Sequence, residues 1–187
     1  HMNVFRLGSQ LDLWGEPGDI VYGNSDLTSP CWKSGNWADW PLLVNDQQSA
    51  PDEGNFVWQL PDGVAHKLGA HETLMLQSHY VNASTQSGDH AVVLVNFERV
   101  PCDGIEEVGT MFATNQGIDI CPGDQDVTFS ASCGNDFPRD VKVIAANSHF
   151  HSRGVDFTIA TANALDCVDN GFYDNKSWDN PLIANDL

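Results

Sequence analysis

The sequence predicts an all-β protein, built as a β-sandwich or jelly roll. Short segments rich in β-branched and aromatic residues recur along the chain, and clusters of Pro, Gly, Asp and Asn separate them. No stretch repeats its apolar residues with the 3.6-residue period of an amphipathic helix. Many short strands divided by turn signals are the mark of stacked antiparallel sheets.

The first third, to about Val57, is rich in Trp, Asp, Gly and Pro and reads as long loops with few strands. Thr73 to His79 (TLMLQSH) is the first clear strand, and Ala91 to Phe97 (AVVLVNF) is the most apolar one. Arg99 to Glu107 (RVPCDGIEE) follows, with Pro, Gly and charge, and reads as a linker between two β modules, 1–100 and 106–187. Asp126 to Ser132 (DVTFSAS), Asp140 to Asn147 (DVKVIAAN) and Val155 to Ala160 (VDFTIA) are the strands expected after it.

The chain has 187 residues, enough for one or two small domains with a real core. Acidic residues number 26 against 8 basic, a formal net charge of -18. Such a chain repels phosphate backbones and anionic lipid, which argues against nucleic acid as a partner. No apolar run approaches the length of a membrane span. None of the five cysteines, Cys31, Cys102, Cys121, Cys133 and Cys167, forms a C-x-x-C pair. Scattered cysteines in an acidic β-rich chain read as disulfides of a secreted or periplasmic protein, with one thiol left over or paired outside the chain. Asn82-Ala-Ser84 and Asn175-Lys-Ser177 match the N-glycosylation pattern.

His149 and His151 form the most informative pair, in NSHFHSRG at the end of an apolar run. Side chains at i and i+2 of an extended segment share one face, so two imidazoles can take neighbouring positions on one metal. Imidazole suits copper, zinc, iron and nickel, so the pair alone does not choose among them. A solvated strand end is the plainer reading of the same residues. His79 ends another apolar strand, where a single histidine is ordinarily hydrogen-bonded structure. His66, His71 and His90 read as surface residues. His1, in HMNVFRL, also fits a cloning remnant. The sequence has no G-x-S-x-G, H-E-x-x-H, Walker A or G-x-G-x-x-G motif.

Taken together, these segments resemble the copper type II, ascorbate-dependent monooxygenases, the family of peptidylglycine α-hydroxylating monooxygenase and dopamine β-monooxygenase. Leu60 to Asn82 (LPDGVAHKLGAHETLMLQSHYVN) is similar to the family segment running from a Leu-Pro-x-Gly-Val-Gly motif to a ligand histidine in Gln-x-His-Tyr. Gly117 to Ile159 is similar to the segment that passes through a Pro-Gly turn and a cysteine to His-x-His. HMNVFRL looks like the tail of a His-His-Met motif, and FYDNKSWDNP like a Trp-Asp-x-Pro stretch of bacterial relatives. The resemblance covers most of the chain in the family's order.

The resemblance implies two jelly-roll-like β-sandwich domains, each possessing one copper, across a wet cleft. His1 and His79 would hold the electron-storing copper, and His149 and His151 the oxygen-activating one. Gln77, two residues before His79, would be a polar anchor in the cleft. O2, an external reductant such as ascorbate, and a small-molecule or peptide substrate would complete the reaction, hydroxylation of a C–H bond. The chain departs from the pattern in two respects. The third ligand of each site is absent: a histidine would precede this chain and a methionine would follow it, since Met75 and Met111 both lie before the His-x-His. The chain thus reads as an internal fragment or a divergent member. Asn147 stands where the peptidylglycine enzyme has an arginine that holds the substrate carboxylate, which argues against that substrate. A non-catalytic metal-binding or ligand-binding β module of this fold is the alternative reading.

Overall fold

The structure, a computed structural model, describes residues 2–7, 16, 18, 40–47, 57–78, 85, 92–115, 117–132, 140–163, 166–185 and 187. Among them there is no helix, and all regular structure is β. The strands are β1 (Met2–Arg6), β2 (Leu42–Asp46), β3 (Val64–Ala65), β4 (Leu74–Ser78), β5 (Glu106–Glu107), β6 (Ala145–Ala146), β7 (Phe157–Asn163), β8 (Asp166–Asn175) and β9 (Ala184–Asn185). No described helix is long and apolar enough to cross a membrane.

The central sheet has the order β2-β1-β4, antiparallel throughout. Its core lies on one face, where Phe5, Leu7, Trp40 and Leu42 are buried and Met75 packs against them. Phe5 and Trp40 meet edge to face at 5.9 Å between ring centroids, a favoured arrangement for aromatic quadrupoles. A register shift between Val4 and Phe5 sets Leu42, as well as Asn45, opposite the row that carries Asn3 and Phe5. An extra residue in β2 has this effect because it reverses the parity of every position beyond it.

The Arg6 guanidinium grips the Glu72 carboxylate with two donors, Nε to Oε1 and Nη2 to Oε2, the latter at 2.9 Å. Gly69 N–H donates to Glu72 Oε2 at 2.7 Å. A two-pronged pair of this kind fixes geometry as well as charge, and it ties the end of β1 to the turn before β4. His66 does not lie freely on the surface. It is half-buried beside the backbone of Val108 and Leu43, and burial pulls its pKa below the ordinary value, with Arg6 adding to the effect.

The expected strands are only partly present. Thr73 to His79 and Val155 to Ala160 overlap β4 and β7. Of Asp140 to Asn147, only Ala145–Ala146 pairs, with β9. Residues 92–97 and 126–132 form no strand among the described residues, and Val92 and Leu94 are 80% and 84% exposed. β-propensity reports fit to a half-buried pleated surface, and without a partner edge it does not make a strand. Conversely, the first third supplies β1 and β2, the best-buried strands. β1 escapes the pattern because Asn3, Val4 and Phe5 are all buried, so no alternation of polar and apolar shows. β8 reads as polar and turn-like in sequence, yet pairs with β7 as an antiparallel ribbon. Glu106–Glu107, inside the expected linker, pairs in parallel with Val64–Ala65.

Cys102 and Cys121 are exposed free thiols. The Cys121-Pro-Gly-Asp124 turn is closed by Asp124 N–H to Cys121 O at 3.1 Å, with Gly123 at φ 100°. Pro at the second position and a positive φ at the third define a type II turn, which selects glycine there. Cys31 and Cys133 lie outside the described residues.

Two predictions follow from the core and the ion pair. Phe5→Ala is expected to cost about 3–5 kcal/mol, read from urea unfolding followed by tryptophan fluorescence. Stability is also expected to fall with acidification in two stages. His66 takes up its proton at lower pH when folded than when unfolded, so stability declines as pH drops below the ordinary 6.5. The Arg6 hydrogen bonds, then the Gly69 N–H, hold Glu72 below the usual carboxylate value, so its contribution disappears as pH falls from 4.5 through the depressed value. Thermal midpoints across pH should show the first stage flattened in His66→Gln and the second in Glu72→Gln.

Candidate functional site

The β1–β4 ladder runs to the pair Met2 and Ser78. The next residues in the sequence are His1 and His79, and both lie outside the described residues. One pair further in, Asn3 stands opposite Gln77 and donates from Nδ2 to Gln77 Oε1 at 2.8 Å. On its other flank Asn3 pairs with Asn45 of β2. Three amides, Gln77, Asn3 and Asn45, therefore cross the sheet in one row at the end opposite the Phe5–Trp40 core. Asn3 is 9% exposed, and its Oδ1 is buried with no hydrogen-bond partner among the described residues. Such an orphaned acceptor costs roughly 1–3 kcal/mol of desolvation.

Asn147 lands on this row. Its Nδ2 donates to Asn45 O at 3.3 Å and lies 3.5 Å from Asn45 Oδ1. The contact joins residues 102 positions apart in the chain. It brings the segment that carries His149 and His151 to the end of the sheet where β1 begins and β4 finishes. The Asn147 amide is thus committed to a strand and has no charge to offer a carboxylate.

From Asn147 to His151 the chain has no strand pairing, but its burial alternates. Its even residues turn inward. Ser148 is 4% exposed, and Phe150 stacks on Phe157 of β7 at 6.2 Å and 9° between planes. His149 and His151 are exposed on the other side, as the period of two requires. Their ring centroids are 5.1 Å apart, with planes at 71°. Metal–nitrogen bonds of about 2.0–2.1 Å place two neighbouring imidazole centroids roughly 4.5–5 Å apart on a shared ion. The observed spacing lies just above that range. Among the described residues no group of three or more His, Cys, Asp or Glu is gathered for a metal.

The turn after the pair is tight. Gly154 N–H donates to His151 O at 2.8 Å, which leaves Arg153 exposed at the tip. A Cβ on Gly154 would sit 2.5 Å from Phe150 Cδ2 and 3.3 Å from His151 O. Glycine is needed here for close approach of the Phe150 ring.

The structure brings together three residues that the sequence did not place at a site: Ser148, Tyr173 and Asn175. Ser148 Oγ lies 3.0 Å from Tyr173 Oη and accepts from Asn175 Nδ2 at 2.8 Å. Tyr173 Oη donates to Leu182 O at 2.7 Å, and burial raises the Tyr173 pKa. Asn175 had a signal, the N-glycosylation pattern, but it pointed elsewhere. The residue is 4% exposed, and its Nδ2 also donates to Ser177 O at 2.8 Å, so a glycan on this nitrogen is incompatible with the folded loop. An open groove of about 610 Å³ borders the same loop, lined by Asp174, Lys176, Asn180 and Ile183 among others; neither histidine of the pair lines it.

No protein-family model matches this sequence, no curated protein matches it, and no solved structure matches the fold.

Gly154→Ala is expected to displace Phe150 from Phe157 and to cost about 1–3 kcal/mol, the usual penalty of overpacking. Chemical denaturation reads the cost, and the NMR ring shifts of Phe150 and Phe157 read the displacement.

Proposed function

We propose that this chain is a copper-binding module of the type II, ascorbate-dependent monooxygenase kind, which hydroxylates a C–H bond of an organic substrate. One observation carries the reading: the β1–β4 register and the Asn147–Asn45 contact bring the strand after His1, the strand before His79 and the His149–His151 segment to one end of one sheet. Three sequence-distant segments that carry or adjoin the candidate ligands thus meet at one end of the sheet, which supports the reading. The finer architecture of this reading is two jelly-roll-like domains, 1–100 and 106–187, in a secreted or periplasmic protein with disulfides.

The donor chemistry fits copper. Neutral imidazole binds both of its oxidation states, and positions left open admit O2. Copper bound here would supply electron storage and oxygen activation, with ascorbate as the electron donor. The balance is one C–H bond and O2, with two electrons and two protons, giving C–OH and water. His149 and His151 hold one ion in this scheme, and His1 and His79 hold the other. Gln77 would be the polar anchor in this scheme, and its side chain already accepts from Asn3. The neutral Asn147 disfavours a substrate carboxylate as the anchoring group.

A non-catalytic copper- or ligand-binding module is the second reading. It is favoured by the count of donors at the described pair, which stops at two nitrogens.

Copper stoichiometry by elemental analysis, with Cu(II) EPR, tests the proposal. The intact chain is expected to bind copper with nitrogen-coupled type II spectra, and His149→Ala/His151→Ala to lose the share held by the pair while remaining folded. Equal loading of that variant removes the pair from the reading. Ascorbate-dependent oxygen consumption by the copper-loaded chain then separates the enzyme from the binding module.

A further inference from the structure

The buried side of the His149–His151 segment is organised more tightly than a strand end needs. Each hydroxyl in the network has one proton to give. The Tyr173 proton is committed to Leu182 O, a pure acceptor at 2.7 Å. Tyr173 Oη must therefore accept from Ser148, and the Ser148 proton is spent on that bond at 3.0 Å. The remaining capacity of Ser148 Oγ accepts Asn175 Nδ2 at 2.8 Å. Asn175 Oδ1 receives Ser177 N–H and Leu182 N–H, each at 3.2 Å. Backbone N–H groups only donate, so the orientation of this amide is settled too. The protons run one way, from Asn175 to Ser148 to Tyr173 to Leu182, with no alternative arrangement.

Ser148 directly precedes His149. Phe150, between the two histidines, is clamped on Phe157, and Phe157 meets Tyr173 edge to face at 6.4 Å. Both inward residues of the segment are thus held by the β7–β8 ribbon. Backbone displacement at 148 or 150 would separate the outward imidazoles, and it is opposed at both points.

We propose that Ser148, Tyr173 and Asn175 are positioning residues that hold His149 and His151 at metal-binding spacing before any metal arrives. This rests on the reading of the pair as a copper site. Preorganisation of this kind raises affinity because the ordering cost is met on folding and not on binding.

The test measures Cu(II) affinity of the full chain by competition with a chelator, in a His79→Ala background so that the pair is read alone. Tyr173→Phe removes one hydroxyl and leaves Ser148 without its acceptor; Ser148→Ala removes the hub. Each is expected to weaken copper about ten- to a hundredfold, the range seen when groups orienting metal ligands are lost, and to broaden the Cu(II) EPR hyperfine lines. Leu7→Ala, which destabilises the remote core, must leave both readouts unchanged. If Ser148→Ala fails to fold, Tyr173→Phe decides. Folded variants with unaltered affinity and EPR lines overturn the positioning role and leave the copper reading standing. Absence of copper from the pair in the His79→Ala parent overturns both.

Discussion

β1 has to be paired on both edges, and the arrangement of the described residues at this end of the molecule follows from that constraint. A central strand buries its backbone donors and acceptors in two ladders, so its register is set twice, by β2 and by β4. Apolar residues collect at one end of its inner face, around Phe5 and Trp40. Amides collect at the other, at Asn3, Asn45 and Gln77. A slip of one residue would exchange these faces and dismantle both. The Arg6–Glu72 pair guards against such a slip, since its two-pronged geometry is satisfied in one register only.

The amide row explains how a strongly acidic chain brings distant segments together without charge pairing. With 26 acidic residues against 8 basic, ion pairs are scarce by composition. Asn147 meets Asn45 through neutral hydrogen bonds, which do not depend on the ionic strength as surface ion pairs do. The buried orphan at Asn3 Oδ1 is the cost of this polar end.

Along 147–151 one segment does two jobs by alternation. Ser148 and Phe150 are structural, and His149 and His151 are presented to solvent. The division is chemical as well as geometric. A serine hydroxyl and a phenyl ring can be satisfied inside, by Tyr173, Asn175 and Phe157. The two imidazoles are on the outward, exposed side. The glycine at 154 completes the device, because the chain must turn back against the Phe150 ring with no room for a Cβ.

The sequence by itself determined the all-β character, the charge, the strand before His79 and the shared face of His149 and His151. These depend on local properties: turn residues, β-branched side chains and a period of two. The tertiary structure alone decided which apolar segments pair. Ala91 to Phe97 is the most apolar of the expected strands, yet 92–97 forms no strand among the described residues, while polar β8 and unpatterned β1 are strands. It alone decided that His66 is half-buried and that Asn175 is a buried hub. It alone set Asn147 on Asn45, across 102 residues. Long-range register is a property of two strands at once, and the hydrogen bonds that fix it join residues between which the sequence carries no local signal.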